Sequence, residues 1–425
     1  MKLETKCLHA GYEPKNGEPC VMPIVQSTTF KFDSCEHVAA LFDMPTEFMY
    51  SRFANPTCDA VEKKIAALEG GVGAMLTSSG QAASLIAILN VCSSGDSFIA
   101  SSAIYGGTVN LFCVTLKKLG IECIHVDANA DYDTIIKSFK PNTKAVFGET
   151  IANPALAVFN FDVWAQAAHE KHVPLIIDNT FATPVLCRPF EWGADIVIHS
   201  TTKYMDGHAV QGGGVIVDSG NFDWEAAHAA TGAFEELCTG DESYHGLVYT
   251  KAFGKAAYII KARTQFMRDF GCFPAAHSAF LLNLGLETLP LRMKRYCENA
   301  LAVAEHFKKS DKIASVSYPL LPGDTQYERA QKYLDGGASG VVSISIRGGR
   351  EAAVRFVDAL QLARCEVHVA DIRTCVLHPA STTHRQLTDE QLAAAGIDSG
   401  MVRFSCGLEN IDDIIEDIDR ALAAV

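Results

Sequence analysis

Lys203 sits in the stretch His199-Ser200-Thr201-Thr202-Lys203-Tyr204, just after the strand-like run Ala194-Asp195-Ile196-Val197-Ile198. A primary amine among hydroxyls at the end of a buried strand is equipped to bond an aldehyde. A second apolar run, Val173-Pro174-Leu175-Ile176-Ile177, delivers Asp178 at its carboxyl end, where open α/β sheets bind their ligands. Amine and acid together suggest pyridoxal phosphate. The lysine would form the Schiff base, and the carboxylate would keep the pyridine nitrogen protonated so that the ring accepts electrons from a substrate carbanion. Singly, a strand-terminal aspartate and a loop lysine occur throughout α/β proteins, so the pair needs support from elsewhere in the chain.

Two further segments give that support. Leu76-Thr77-Ser78-Ser79-Gly80-Gln81-Ala82-Ala83 reads as following a helix and opening another over Ala82 to Val91. Small residues there let the backbone approach a ligand, and the N–H groups of a helix start bind phosphate. The same residues also make an ordinary helix cap. Tyr105-Gly106-Gly107 follows the strand-like Ser97-Phe98-Ile99-Ala100 and offers an aromatic face on which a pyridine ring can stack, although a tyrosine before two glycines also reads as a simple turn.

With these residues in hand, the chain resembles the Cys/Met-metabolism family of pyridoxal-phosphate enzymes over nearly its whole length, and within it the O-acetylhomoserine sulfhydrylase branch. The resemblance is carried by Tyr50-Ser51-Arg52 with Asn55-Pro56-Thr57, Ser78-Ser79-Gly80-Gln81, Tyr105-Gly106-Gly107-Thr108, Asp178-Asn179-Thr180-Phe181-Ala182-Thr183-Pro184 and the Lys203 segment. Two motifs near the end complete it, His378-Pro379-Ala380-Ser381-Thr382-Thr383-His384 and Arg403-Phe404-Ser405-Cys406-Gly407-Leu408-Glu409. It implies an α/β fold of the aspartate aminotransferase-like type I class, a mostly parallel sheet covered by helices with a smaller α+β C-terminal domain. It further implies that Lys203 is the Schiff-base lysine and proton shuttle, that Asp178 pairs with the pyridinium, and that Tyr105 stacks on the ring. Gly80, Gln81, Ser200 and Thr202 would hold the phosphate, and Tyr50 and Arg52 would reach the phosphate of a neighbouring subunit. Arg403, helped by Asn153, would clamp the substrate's α-carboxylate, a role that suits the planar guanidinium. The implied assembly is a homotetramer built from dimers with shared active sites, and the implied substrates are O-acetylhomoserine and sulfide or a thiol.

Two departures from the family pattern bear on the pocket. His208-Ala209-Val210-Gln211-Gly212 replaces smaller residues behind the cofactor, and Val369-Ala370-Asp371-Ile372-Arg373-Thr374 replaces a glycine-containing turn that lines the substrate side. A methionine γ-lyase would carry a cysteine after Tyr105-Gly106, and this chain has Gly107, which favours γ-replacement over elimination. Cys113, farther along the same helix, reads as a buried structural thiol. A non-catalytic member, or one that draws sulfur from a partner protein, is the reading from another class; Lys203, Asp178 and Arg403 argue for activity.

The elements that position these residues follow from the pattern. Residues 1–60, rich in turns and prolines, read as an arm packed on another subunit. From 61 to 260, helix-like runs at Ala60 to Leu68, Ala82 to Val91 and Val163 to His172 alternate with short apolar strands, predicting a mostly parallel sheet covered by helices, which the resemblance implies is the cofactor-binding domain. Ala257 to Arg268 and Ala279 to Arg292 read as linking helices. Over 261–425, Val341 to Ile346 reads as a strand and Glu351 to Leu360 and Ile411 to Ala423 as helices of a smaller α+β domain.

Composition excludes other classes. At 425 residues and 48% hydrophobic the chain can bury large cores, and a net charge of −14 argues against nucleic acid. The Arg292 to Arg295 cluster reads as a solvated helix face. With no apolar leader and no run of about 18 apolar residues, a soluble cytoplasmic protein is expected. Fourteen cysteines without a Cys-x-x-Cys pair predict reduced thiols and no metal site, and His169-Glu170-Lys171-His172 reads as an exposed helix end. Gly70-Gly71-Val72-Gly73 lacks the full dinucleotide fingerprint, and no phosphate-binding Gly-Lys-Ser/Thr loop occurs.

Overall fold

The computed structural model describes residues 1–43, 47–383, 385 and 398–425; His384 of the second C-terminal motif lies outside them. Seven strands form the large sheet: β1 (Gly73–Thr77), β2 (Ser97–Ser101), β3 (Glu122–Val126), β4 (Thr143–Glu149), β5 (Leu175–Asp178), β6 (Ile196–His199) and β7 (Gly214–Asp218). Their spatial order is β1-β7-β6-β5-β4-β2-β3, and β7 alone runs against its neighbours. Helices cover both faces, so the central strands are apolar at successive positions. Leu175 and Ile177 of β5 enter one core while Ile176 enters the other, and Val197 of β6 is opposed in the same way by Ile196 and Ile198.

The C-terminal sheet has five strands, β8 (Ile313–Ser317), β9 (Val341–Ile346), β10 (Arg364–Cys365), β11 (Cys375–Leu377) and β12 (Met401–Ser405), in the order β10-β11-β12-β9-β8. Only β10 and β11 pair in parallel. The expected α/β architecture with a smaller α+β domain is therefore present.

Several sequence expectations need correction. Leu76 and Thr77 belong to β1, a strand whose pattern is obscured because it follows three glycines in four residues. The next helix opens at Gly80, two residues before the predicted start. The first 60 residues carry helices α1 (Leu3–His9) and α2 (Cys35–Asp43), and α1 packs its fully buried Cys7 into the core. The run read as one helix from Ala279 to Arg292 is two, Ala276–Glu287 and Leu289–Phe307, because Pro290 has no N–H to continue the first and instead starts the second. Arg292 is buried rather than solvated: its guanidinium donates to the carbonyls of Tyr204 (2.7 Å), Met205 (3.2 Å) and Gly285 (2.7 Å), bracing the turn that follows Lys203.

Candidate active site

The carboxyl ends of β4, β5 and β6 lie side by side, and the sheet register fixes what they present. Glu149 and Asp178 are directly paired across β4 and β5, and β6 ends one residue before Ser200. Thr180 ties the ends together: its hydroxyl donates to Asp178 Oδ1 (2.5 Å) and accepts from the Ser200 N–H (2.8 Å), while its own N–H also donates to Asp178 Oδ1 (3.0 Å). Beneath them lies a buried polar layer. His199 Nε2 meets Glu69 Oε1 at 2.6 Å with both side chains fully enclosed, and Asn179 donates to the same oxygen. Thr150 in turn donates to Asn179.

A cavity of about 260 Å³ opens above these strand ends. Gly80, Gln81, Tyr105, Asn153, Asp178, Ser200, Thr202, Lys203 and Arg403 all line it. Tyr50 and Arg52 do not; Arg52 stacks over the Tyr50 ring, with its guanidinium carbon 5.4 Å from the centroid, and donates to the Arg268 carbonyl. Helix α3 (Pro56–Glu69), with Asn55 accepting from the Thr57 N–H, anchors the Tyr50 segment to the large domain.

Each wall has a local cause. Ser79 caps α4 (Gly80–Leu89) by accepting the Ala82 N–H, so the N–H groups at the helix start remain directed at the cavity. Gly80 is required by packing: a Cβ there would lie 2.6 Å from the Cβ of Ser200. Tyr105 stands at the N-cap of helix α5 (Gly106–Asn110) rather than in the simple turn its sequence also allows, its N–H donating to Glu149 Oε1 at 2.6 Å and its ring about half exposed. Lys203 Nζ lies 3.3 Å from His368 Nδ1. Burial, and then the charge of Arg403, lower the Lys203 pKa to about 8. Burial and the neighbouring Lys203 charge lower that of His368 to about 4, so the imidazole is neutral at neutral pH. On the far side Arg403 of β12 is held by the carbonyls of Val367 (3.3 Å) and His368 (3.2 Å), and its Nη1 lies 3.4 Å from Asn153 Oδ1.

A model of the family described as Cys/Met metabolism PLP-dependent enzymes matches residues 4–423. The chain is 43% identical to the O-acetyl-L-homoserine sulfhydrylase of Leptospira meyeri, over 99% of this chain and 97% of that one. It is 44% identical to the homocysteine synthase of Schizosaccharomyces pombe, over 99% and 98%. Among solved structures it resembles an O-acetylhomoserine (thiol)-lyase from Campylobacter jejuni that carries N'-pyridoxyl-lysine-5'-monophosphate, with a TM-score of 0.95, 35% identity and full coverage of both chains.

The chain belongs to the Cys/Met-metabolism family of PLP-dependent enzymes.

The cavity suits the cofactor of this family. Burial raises the pKa of Asp178, and burial together with Asp178 raises that of Glu149; among the described residues neither forms an ion pair. A buried acid and a half-buried one, adjoining and without a cation partner among the described residues, are a fit for a protonated ring nitrogen. The start of α4 at Gly80 and Gln81, beside the Ser200 and Thr202 hydroxyls, is a fit for its phosphate.

Sequence reasoning missed Glu149, His368, Arg292 and the Glu69–His199 pair. A strand-terminal acid was the available signal for Glu149, since β4 reads as Thr143-Lys144-Ala145-Val146-Phe147-Gly148-Glu149 and ends beside Asp178. His368 had no signal, because only the fold of the C-terminal domain brings its loop to Lys203. Cys113 is also corrected: it is half-buried at the surface, with its Sγ 3.0 Å from His125 Nε2.

Proposed function

We propose that the enzyme catalyses γ-replacement on O-acetyl-L-homoserine, in which sulfide or methanethiol takes the place of acetate at the γ-carbon to give L-homocysteine or L-methionine. The observation that carries this reading is a single cavity lined by an amine, a strand-end acid and a guanidinium, Lys203, Asp178 and Arg403. The relatives' names supply the ester and the sulfur nucleophile.

In this reading Lys203 bonds the aldehyde carbon of pyridoxal phosphate, Asp178 pairs with the ring nitrogen and Tyr105 covers the ring face. Gly80, Gln81, Ser200 and Thr202 hold the phosphate. Bound there, the cofactor supplies an electron sink for a carbanion at the substrate's α-carbon. Arg403 takes the α-carboxylate through the guanidinium edge that faces Asn153, its other amino group being engaged by the Val367 and His368 carbonyls. Once the substrate's amine has displaced Lys203 from the aldehyde carbon, the freed Nζ, whose pKa burial lowers to about 8, takes the α-proton and passes it on, takes the β-proton as acetate leaves the γ-carbon, and returns protons to carbon after sulfur has added.

Gly107 bears on the lyase alternative. A Cβ at this position would lie 2.4 Å from Cε1 of the half-exposed Tyr105 ring, so a cysteine here would require the ring to shift. The glycine therefore supports replacement over elimination.

In the same reading, residues 1–60 form the arm, 61–260 the cofactor domain and 261–425 the C-terminal domain. Tyr50 and Arg52, lying outside their own cavity, serve the phosphate of a neighbouring subunit, which makes a dimer the smallest active unit and a homotetramer its full assembly. Fourteen free cysteines suit a reducing cytoplasm.

The deciding assay compares two substrates. O-acetylhomoserine with sulfide should form homocysteine with far higher kcat/KM than methionine forms 2-oxobutanoate. Faster elimination from methionine would overturn the assignment in favour of the lyase.

A further inference from the structure

The outer edge of the large sheet carries chemistry that the reaction does not use. Strand β3 places Cys123 and His125 two residues apart, hence on one face. Helix α5 continues into a π-helical turn, Leu111–Leu116, that carries Cys113 to the same spot. The Cys113 and Cys123 sulfurs lie 3.0 and 3.5 Å from His125 Nε2, and the three ligand atoms all lie within 4.8 Å of one another. No other group of three His, Cys, Asp or Glu among the described residues has this compactness.

We propose that Cys113, Cys123 and His125 form a site for a thiophilic divalent cation, zinc foremost, with its fourth position open to water or an external ligand. Tetrahedral zinc with ordinary bond lengths separates a sulfur from a ring nitrogen by about 3.6 Å and two sulfurs by about 3.8 Å, so small side-chain shifts close the site. Two thiolates and an imidazole select zinc over the hard cations magnesium and calcium. The exposed His125 leaves an entry path. A π-turn within a helix is an energetically poor arrangement that often marks a functional site, and here it brings Cys113 to the strand.

The test uses the holoenzyme, freed of metal by chelation and reduced without an added thiol. Equilibrium dialysis should then find one zinc per chain. Cobalt should give thiolate-to-metal absorption in a difference spectrum against Cys113→Ser holoenzyme, which cancels the cofactor's own band. Cys123→Ser and His125→Asn should each weaken zinc binding by about 10-fold or more, with the cofactor band intact as the check on folding. Zinc uptake unchanged in the Cys113→Ser/Cys123→Ser double variant would overturn the site, as would a reduced wild type that retains no zinc at micromolar concentrations. Neither result touches the γ-replacement reading.

Discussion

The floor of the cavity and its rim are held by different means. On the floor, Glu149 and Asp178 end adjacent strands and Ser200 follows the end of the next, their spacing set by sheet register and by the Thr180 cross-links. At the rim, His368 and Ala370 sit on the loop between β10 and β11, and Ala370 holds a left-handed φ of 66° that an alanine adopts at a cost. Only Arg403 on the rim rises from a strand, and even its guanidinium is oriented by loop carbonyls. In the proposed reading the two acids that face the cofactor end strands of the sheet, whereas His368 and Ala370 stand on a loop that can change without disturbing them.

The largest effects should come from the floor. Lys203→Ala should abolish the visible absorption after dialysis and lower turnover by about 10²–10⁴-fold or more. A colourless, folded wild type that takes up no added pyridoxal phosphate would sink the central claim. Asp178→Asn should retain the cofactor yet lose most turnover, because a neutral amide no longer favours the protonated ring nitrogen; near-normal turnover would remove Asp178 from that role. Mixing inactive Arg52→Ala with inactive Lys203→Ala should restore part of the activity if Arg52 serves the neighbour's floor, since a hybrid dimer holds one site with both residues intact. Verified hybrids without recovery would confine each site to one chain.

At the rim, Arg403→Ala should raise KM and also lower kcat. Losing charge-assisted hydrogen bonds of about 1.5–3 kcal/mol corresponds to roughly 10–150-fold in kcat/KM. The kcat component arises because a loosened substrate misplaces its α-proton from Lys203. An effect confined to KM would mean that Arg403 binds without positioning.

Between floor and rim stands the titration of Lys203, whose pKa of about 8 lies below the ordinary lysine value of 10.5. The fold therefore favours the neutral amine. The resulting destabilisation of the cofactor-free protein is complete below about pH 8 and vanishes as pH rises past the unfolded value. The rate of cofactor uptake by the cofactor-free protein should rise with pH and reach half its limit near 8. A rate independent of pH from neutral to mildly alkaline would show that the amine is not the titrating group.

The same division governs what could be read in advance. The apolar runs ending in Asp178 and leading to Lys203 are buried on both faces, so composition alone marks them as central strands. Tyr105 and Gly80 were legible through their glycine and serine neighbours, although β1 beside them was not. Arg292 was misjudged because sequence cannot distinguish a charged residue facing water from one bridging three carbonyls. His368 depends on contacts 165 residues apart, and no local pattern encodes them. The Cys113, Cys123 and His125 group escaped for a similar reason, since its spacing matches no ligand motif until the helix is laid beside the strand.

The smallest effect, and the finest test of the rim, is Ala370→Gly. Ala370 occupies the turn in which the family pattern leads us to expect glycine, and its φ of 66° lies where a Cβ crowds the following carbonyl. Glycine has no such conflict but is more flexible in the unfolded chain, and the two effects oppose each other. The net gain should be about 1 kcal/mol, because the steric relief outweighs the added freedom of the unfolded chain. Chemical denaturation should therefore move to a higher midpoint with an unchanged slope, and kcat for O-acetylhomoserine should stay within about twofold because the floor is untouched. If the substitution destabilises the protein, the Ala370 methyl, which is fully buried, contributes more through packing than its backbone angle costs. If stability rises but kcat collapses, the rim positions the reacting groups as strictly as the floor does, and the contrast between them fails.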